Sequence, residues 1–322
     1  MLKDVESLND LSWGFRSARA VQVACNLEIF TILDREGPLS VEALSTLCRT
    51  KEELTDKLLI ACCAMELLVK DGGKYKNTDY ADAYLVRGRP LYQGDIIGHA
   101  SSVWNFWSRL EDEIRLEGVK SDPVREHRNF ILGMDNLAGA DRAENLAGSL
   151  DLYGRRKLLD VGGGPGSYSI ALCRRNPKLK AVVFDLPATI AIAREVIVRE
   201  KMEKQVSVQE GSWDTDEFGE GNDVVLFSNV LHGPASEAEM KLAKARRSMA
   251  QGGLLVVQEF VLNDEKSGPL VPSLFNIMVG AYSRRELFDV IETAGFSDPK
   301  VVFSSERYGN TVVVGRRDRI AV

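Results

Sequence analysis

Leu158-Leu159-Asp160-Val161-Gly162-Gly163-Gly164-Pro165-Gly166 decides how the second half of this chain folds. Apolar residues run straight into a cluster of glycines, and a helical pattern follows. That is the signature of a buried strand ending in a tight turn. Glycine lets the backbone turn sharply and approach a ligand closely. In open α/β sheets, ligands bind beyond the carboxyl ends of the strands, so a nucleotide-type ligand is implied. A dinucleotide site wants Gly-x-Gly-x-x-Gly. Here Gly162 and Gly164 satisfy the first two places, but Ser167 stands at the third. Asp160, just before the turn, would repel a pyrophosphate and suits a ligand with a positive ammonium and sulfonium.

Outward from this turn the chain alternates strand and helix. Apolar strand candidates are 157–161, 180–184, 206–209, 223–227, 254–259, 300–303 and 311–314. Amphipathic segments separate most of them, so a mainly parallel sheet covered on both faces is expected. The last two strands leave no room for a helix between them and should be antiparallel. The second strand ends in Phe184-Asp185-Leu186-Pro187. An acidic residue about 20 positions past a glycine turn can accept both hydroxyls of a ribose; a cap for the next helix is the lesser reading of Asp185. The third strand ends at Gly211-Ser212-Trp213, where Trp213 would either stack on a base or fill the core.

The first half reads as helices. Apolar residues recur at helical spacing from Trp13 to Leu33, until Gly37-Pro38 stops them. Ser40 reads as the cap of a short helix. Thr50-Lys51-Glu52-Glu53 reads as a capping box opening a third helix to about Val69. Lys70 to Tyr75, with Gly72-Gly73, reads as a hairpin turn. Three helices and a small β-wing are the winged-helix order. DNA binding is disfavoured: the third helix begins with balanced charges at Lys51, Glu52, Glu53, Asp56 and Lys57 and continues nearly all apolar. Residues 1–100 carry 12 Lys and Arg against 15 Asp and Glu, a balance of −3. A domain that packs on another subunit is the expectation. Tyr92 to Leu150 reads as helical again, with Trp104 and Trp107 three apart on one face, suited to core packing or to lining a pocket.

Composition narrows the rest. The net charge of −6 makes a nucleic-acid partner unexpected. No apolar run reaches about 18 residues, so no membrane span is expected. The opening MLKDVESLND is too acidic for a secretory signal. Five cysteines without a CxxC argue against disulfides and zinc, and three scattered histidines show no ligand spacing, so no metal is expected. Cytosol is the expected compartment.

DVGGGPG, FDLP, LFSNVLH and ETAGF together resemble the plant-type small-molecule O-methyltransferases, a family with caffeate, acetylserotonin, hydroxyneurosporene and bacterial polyketide members. The resemblance spans nearly the whole chain. It implies a class I methyltransferase: a Rossmann-like doubly wound α/β domain after an all-helical, winged-helix-like dimerisation domain. The implied division is 1–100 for dimerisation, 101–150 for linking helices and 151–322 for catalysis. S-adenosylmethionine is the implied cofactor, a small hydroxylated molecule the implied substrate, and a homodimer the implied assembly.

Position by position, the cofactor residues would be Asp160, Gly162, Gly164, Asp185, Leu186, Ser212, Trp213 and Ser228. His232 matches the family's base and Glu259 the glutamate that orients it. Substrate would meet Trp104, Trp107, Phe130, Met134, Met278 and Tyr282. The chain departs from the family at Gly233-Pro234, where Asp-Trp usually follows the histidine, and at Ser212, where Asp is usual. A second glutamate before the last helix is missing; Val279 to Ser283 stands there. Methylation on carbon or nitrogen, a non-methylating relative, a DNA-binding sensor of S-adenosylmethionine and a nicotinamide dehydrogenase are the competing readings.

Overall fold

The computed structural model describes residues 2–118, 120–305 and 309–318. The chain divides into two compact units, Met1–Ser121 with Leu262–Val279, and Asp122–Val261 with Gly280–Val322.

The first unit opens with α1 (Val5–Asn26), where Asp4 accepts the Ser7 amide at 2.7 Å. The expected single run from Trp13 to Leu33 is two helices. Glu28 adopts a left-handed conformation (φ 55°), breaking the chain before α2 (Ile29–Glu36). β1 (Leu39–Ser40) leads to α3 (Val41–Cys48), capped by Ser40 as expected. α4 (Glu52–Ala64) has Lys51, not Thr50, at its cap. The expected capping box fails because the Thr50 hydroxyl lies 2.7 Å from that of Thr55 instead. α4 buries Thr55 and Leu58 through Cys63, which makes it the centre of this unit's core.

β2 (Leu68–Asp71) and β3 (Lys74–Asn77) form the expected hairpin, and β1 joins them in a sheet of order β1-β3-β2. The unit is therefore not all-helical. α5 (Asp79–Tyr84), α6 (Gly94–Ser102), α7 (Trp104–Ser108) and α8 (Leu110–Ile114) follow. Helix ends at Ile114 and resumes at Pro123, so the expected helical stretch from Tyr92 to Leu150 is interrupted.

In the second unit, α9 (Pro123–Leu137) passes through a π-turn at Ala138–Arg142 into α10 (Ala143–Ser149). Then come β4 (Lys157–Val161), α11 (Ser167–Arg175), β5 (Lys180–Asp185), α12 (Pro187–Arg199), β6 (Val206–Glu210), β7 (Asn222–Ser228), α13 (Ala238–Ser248) and β8 (Met249–Phe260). α14 (Leu270–Val279) belongs to the first unit; α15 (Arg284–Thr293), β9 (Ser297–Ser304) and β10 (Asn310–Arg316) complete the second. The sheet order is β6-β5-β4-β7-β8-β10-β9, parallel except for β10, which runs antiparallel to both neighbours.

Side chains alternate between the two faces of this sheet. Leu158, Leu226 and Val256 pack with Ile170 and Ile190 on one side; Leu159, Phe227 and Val257 pack with Leu242 and Leu287 on the other. From β4 the chain winds outward through β5 and β6, then returns to β7 on β4's opposite edge. The carboxyl ends of β4 and β7 thus form the switch point where such sheets bind ligands. Among the described residues, no helix is long and apolar enough to cross a membrane.

Candidate active site

At the end of β4 the turn takes left-handed backbone at Gly162 (φ 66°), Gly164 (φ 55°) and Gly166 (φ 82°). The Gly162 amide donates to the Phe184 carbonyl at 2.8 Å, which stitches the turn to β5. A Cβ at Gly162 would lie 2.8 Å from Val230 Cγ2 and 3.0 Å from Trp213 Cζ3, so any side chain there strains the backbone and must push its neighbours aside. Asp160 lies fully buried beneath the turn, with Ser169 Oγ donating to its Oδ2 at 2.7 Å. Its Oδ1 has no hydrogen-bond partner among the described residues. Burial pushes the Asp160 carboxyl up to about 7 against the Ser169 hydrogen bond, and the Asp185 charge adds to the rise.

Asp185 does not cap α12, whose cap is Leu186 without a side-chain bond. It accepts the Gly164 amide on Oδ2 (2.9 Å) and the Leu186 amide on Oδ1 (2.7 Å). A carboxylate has about four acceptor sites, so two remain for a ligand. Leu186, beside it, is exposed. Trp213 packs against Gly162, with the Lys241 ammonium 4.8 Å from its ring centroid, and Lys244 Nζ donates to its carbonyl at 2.6 Å. Ser212 lies in a turn closed by Asp216, which accepts the Ser212 amide at 2.8 Å. Ser228 ends β7 and accepts from Gln258 Nε2 at 2.9 Å.

The loop after β7 carries His232. One carboxylate organises it: Glu259 Oε1 accepts the amides of Val230 (2.7 Å) and Leu231 (2.6 Å), while Oε2 lies 3.1 Å from His232 Nδ1. Glu259 is 3% exposed, so these partners compensate a buried charge. Burial works against protonating His232, but the Glu259 hydrogen bond and charge outweigh it, and its pKa stands above the usual imidazole value. In the neutral ring the Nδ1 proton faces Glu259 and Nε2 keeps its lone pair.

Gly233-Pro234 leaves this pairing intact. Gly233 has φ 60°, and a Cβ there would come within 2.9 Å of the Ala281 amide nitrogen. The close passage of Gly280 and Ala281 therefore requires the glycine, and Pro234 starts a single 3-10 turn, Pro234–Ser236.

The six expected substrate residues are split between the units. Trp104, Trp107 and Met278 lie in the first; Phe130, Met134 and Tyr282 lie in the second. Trp107, Phe130, Met134 and Met278 are exposed, and Trp104 stacks 6.5 Å from Phe15. Tyr282 is only 6% exposed and packs in the core against the α13 and α15 face of the sheet.

Sequence reading passed over a polar group on the opposite face. Tyr168 of α11 lies nearly buried beside Gln258 and Ser228; burial pushes its hydroxyl up and these two neighbours work against the rise. Gln258 Oε1 and Asn229 Oδ1 are buried without partners among the described residues. A glutamine inside the apolar run LLVVQEF was the signal available. Among the described residues no cluster of His, Cys, Asp and Glu could hold a metal.

The sequence matches the O-methyltransferase domain over residues 116–297 and the O-methyltransferase dimerisation domain over residues 9–87. It is 31% identical to a 3-hydroxy-5-methyl-1-naphthoate 3-O-methyltransferase of Streptomyces sahachiroi, covering 96% of this chain and 94% of the relative. It is 28% identical to the N,N-dimethyltransferase OxyT of Streptomyces rimosus, covering 79% of this chain and 78% of that one. Among solved structures, an O-methyltransferase family 2 protein from Planctomyces limnophilus in complex with apigenin superimposes with a TM-score of 0.84 at 26% identity, covering 98% of this chain and 97% of that one.

Proposed function

The chain belongs to the S-adenosylmethionine-dependent O-methyltransferase family, and from that premise we propose that it methylates a hydroxyl of a small aromatic molecule with His232 as general base. The observation that carries the reading is the Glu259–His232 pair, 3.1 Å apart at the mouth of the sheet's switch point. A hydroxyl is a weak nucleophile until its proton leaves, and a correctly placed imidazole near neutrality can take it. S-adenosylmethionine held beside this loop would supply an electrophilic methyl on a sulfonium, whose sulfur would be left as a neutral thioether. His232 Nε2 accepts the acceptor's proton as the oxygen's electron pair forms the new O–CH3 bond. Glu259 then stabilises the imidazolium and, through the Val230 and Leu231 amides, keeps the loop from moving.

The end of the sheet suits the cofactor. Gly162 leaves the backbone open to close approach, Asp185 keeps two acceptor sites for a ribose diol, and Trp213 and Leu186 offer apolar surface beside it. Gly164, Ser212 and Ser228 complete the cofactor set we propose, with Asp160 supporting the turn from below. Trp104, Trp107, Phe130, Met134 and Met278 remain candidates for substrate contact; Tyr282 would act by holding the turn beside Gly233. We further propose a homodimer through the first unit, whose α1 exposes Val5, Leu8, Leu11 and Phe15. Light scattering at micromolar concentration should return a dimer, and a monomer would refute this.

The test is a panel of naphthols, hydroxynaphthoates and flavones, each beside its methyl ether and its amino analogue, scored by release of S-adenosylhomocysteine. Methyl resonances in the product distinguish O-, N- and C-methylation. Turnover confined to the free hydroxyls, with an O-methyl product, supports the reading. Turnover of the amines alone would transfer the protein to the chemistry of relatives such as OxyT.

A further inference from the structure

Two lysines of α13, Lys241 and Lys244, lie beside Trp213 and are 5% and 7% exposed. Three apart, they share one helix face. Lys244 Nζ donates to the carbonyls of Trp213 (2.6 Å), Asp214 (3.1 Å) and Asp216 (3.1 Å). All three donors of the ammonium are used, and the loop after β6 is gathered round it. Lys241 has another task. Its Nζ donates to the Ser236 carbonyl, in the turn that follows His232, and lies over the Trp213 ring, 4.8 Å from the centroid. Burial works against the Lys241 charge, and the carboxylates of Asp214, Glu237 and Glu259 work for it.

Trp213 is thereby held at three points. Lys244 fixes its carbonyl, its Cζ3 edge packs on the Gly162 turn, and Lys241 faces its π system. The third contact sets the tilt of the ring. An aromatic ring is negative on its face and positive at its edge, so the attraction is lost when the ring turns edge-on to a cation. The Ser236 carbonyl keeps this cation from following the ring. Trp213 is only partly buried, so indole surface remains open to a ligand.

We propose that Lys241 is a positioning residue for the cofactor, holding the Trp213 indole at the tilt on which the adenine of S-adenosylmethionine stacks. The inference rests on the reading of Trp213 as the wall beside the adenine and does not depend on His232 acting as a base.

The experiment is calorimetric titration of the full-length protein with S-adenosylhomocysteine and with S-ribosylhomocysteine, which lacks only the base. Lys241→Met keeps most of the stem and removes the charge. It should weaken S-adenosylhomocysteine about five- to thirtyfold, the range for a desolvated cation–π contact. S-ribosylhomocysteine should stay within about twofold. Lys241→Arg returns a cation to the ring and should recover most of the loss, a comparison that needs S-adenosylhomocysteine alone. Trp213→Ala should show the same selective loss, and adding Lys241→Met to it should cost nothing more. Equal weakening of both ligands by Lys241→Met would mean a general role in folding and overturns the proposal. So does an unchanged S-adenosylhomocysteine affinity in Lys241→Met, or a loss that Lys241→Arg does not recover. No loss in Trp213→Ala would instead refute the adenine reading beneath the proposal, which tells the two failures apart.

Discussion

Two loops leave neighbouring strands, and they are held in different ways. The turn after β4 is fixed by its own backbone: three left-handed glycines and an amide bonded to the next strand. The loop after β7 is fixed from outside, by Glu259 reaching across from β8 to two amides and an imidazole. The first can be recognised from consecutive residues. The second cannot, because its support is a side chain 28 positions away from Leu231 in the chain. The cofactor end of this fold is locally encoded, whereas the proposed catalytic end is encoded by one long-range contact.

The sharpest way to break that contrast is Glu259→Ala. It leaves two buried amides unpaired and should cost about 3–5 kcal/mol of stability in urea unfolding. S-adenosylhomocysteine affinity should stay within about threefold if the loops are separable. Gly162→Val should do the reverse. Forced left-handed backbone and contacts with Val230 and Trp213 should cost about 2–4 kcal/mol. Cofactor affinity should drop by more than about tenfold, read by calorimetry. Equal losses of cofactor binding in the two variants would mean that the loops work as one unit.

Protonation sharpens the comparison further. Glu259 raises the pKa of His232, so the pair stabilises the folded state below the imidazole's unfolded value of about 6.5, and that stability is lost as pH rises through the folded value. Stability of the wild type relative to His232→Ala should therefore shrink as pH rises above about 6.5. An NMR titration of the ring should give a midpoint above about 6.5, moving down in Glu259→Gln. A midpoint unmoved by Glu259→Gln would deny the carboxylate its role. Gly164→Ala should have the smallest effect, about 1 kcal/mol, because its backbone is left-handed but nothing lies within 4 Å of an added Cβ.

These loops also explain which features were readable. The strand boundaries of β4 matched residue for residue, because an apolar run and glycines bracket it. The break at Glu28 was hidden: a non-glycine residue takes the left-handed turn, and no proline or glycine marks it. Thr50 presented a capping pattern, yet its hydroxyl is drawn to Thr55, a competition that spacing alone does not rank. Tyr282 was expected at the substrate only through the resemblance; its place in the core depends on packing between α13 and α15 that no local pattern states. His232 and Glu259 were reachable only through the resemblance to known methyltransferases, since neither sits in a motif that dictates its partner.

The central claim is that His232 moves a proton while the glycine turn and Asp185 hold the cofactor. Single-turnover methyl transfer by His232→Ala, with S-adenosylhomocysteine affinity measured on the same sample, tests it directly. Transfer should slow by about two to four orders of magnitude, with cofactor affinity unchanged. Unchanged single-turnover transfer would contradict the claim and leave orientation of the acceptor as the whole of the catalysis.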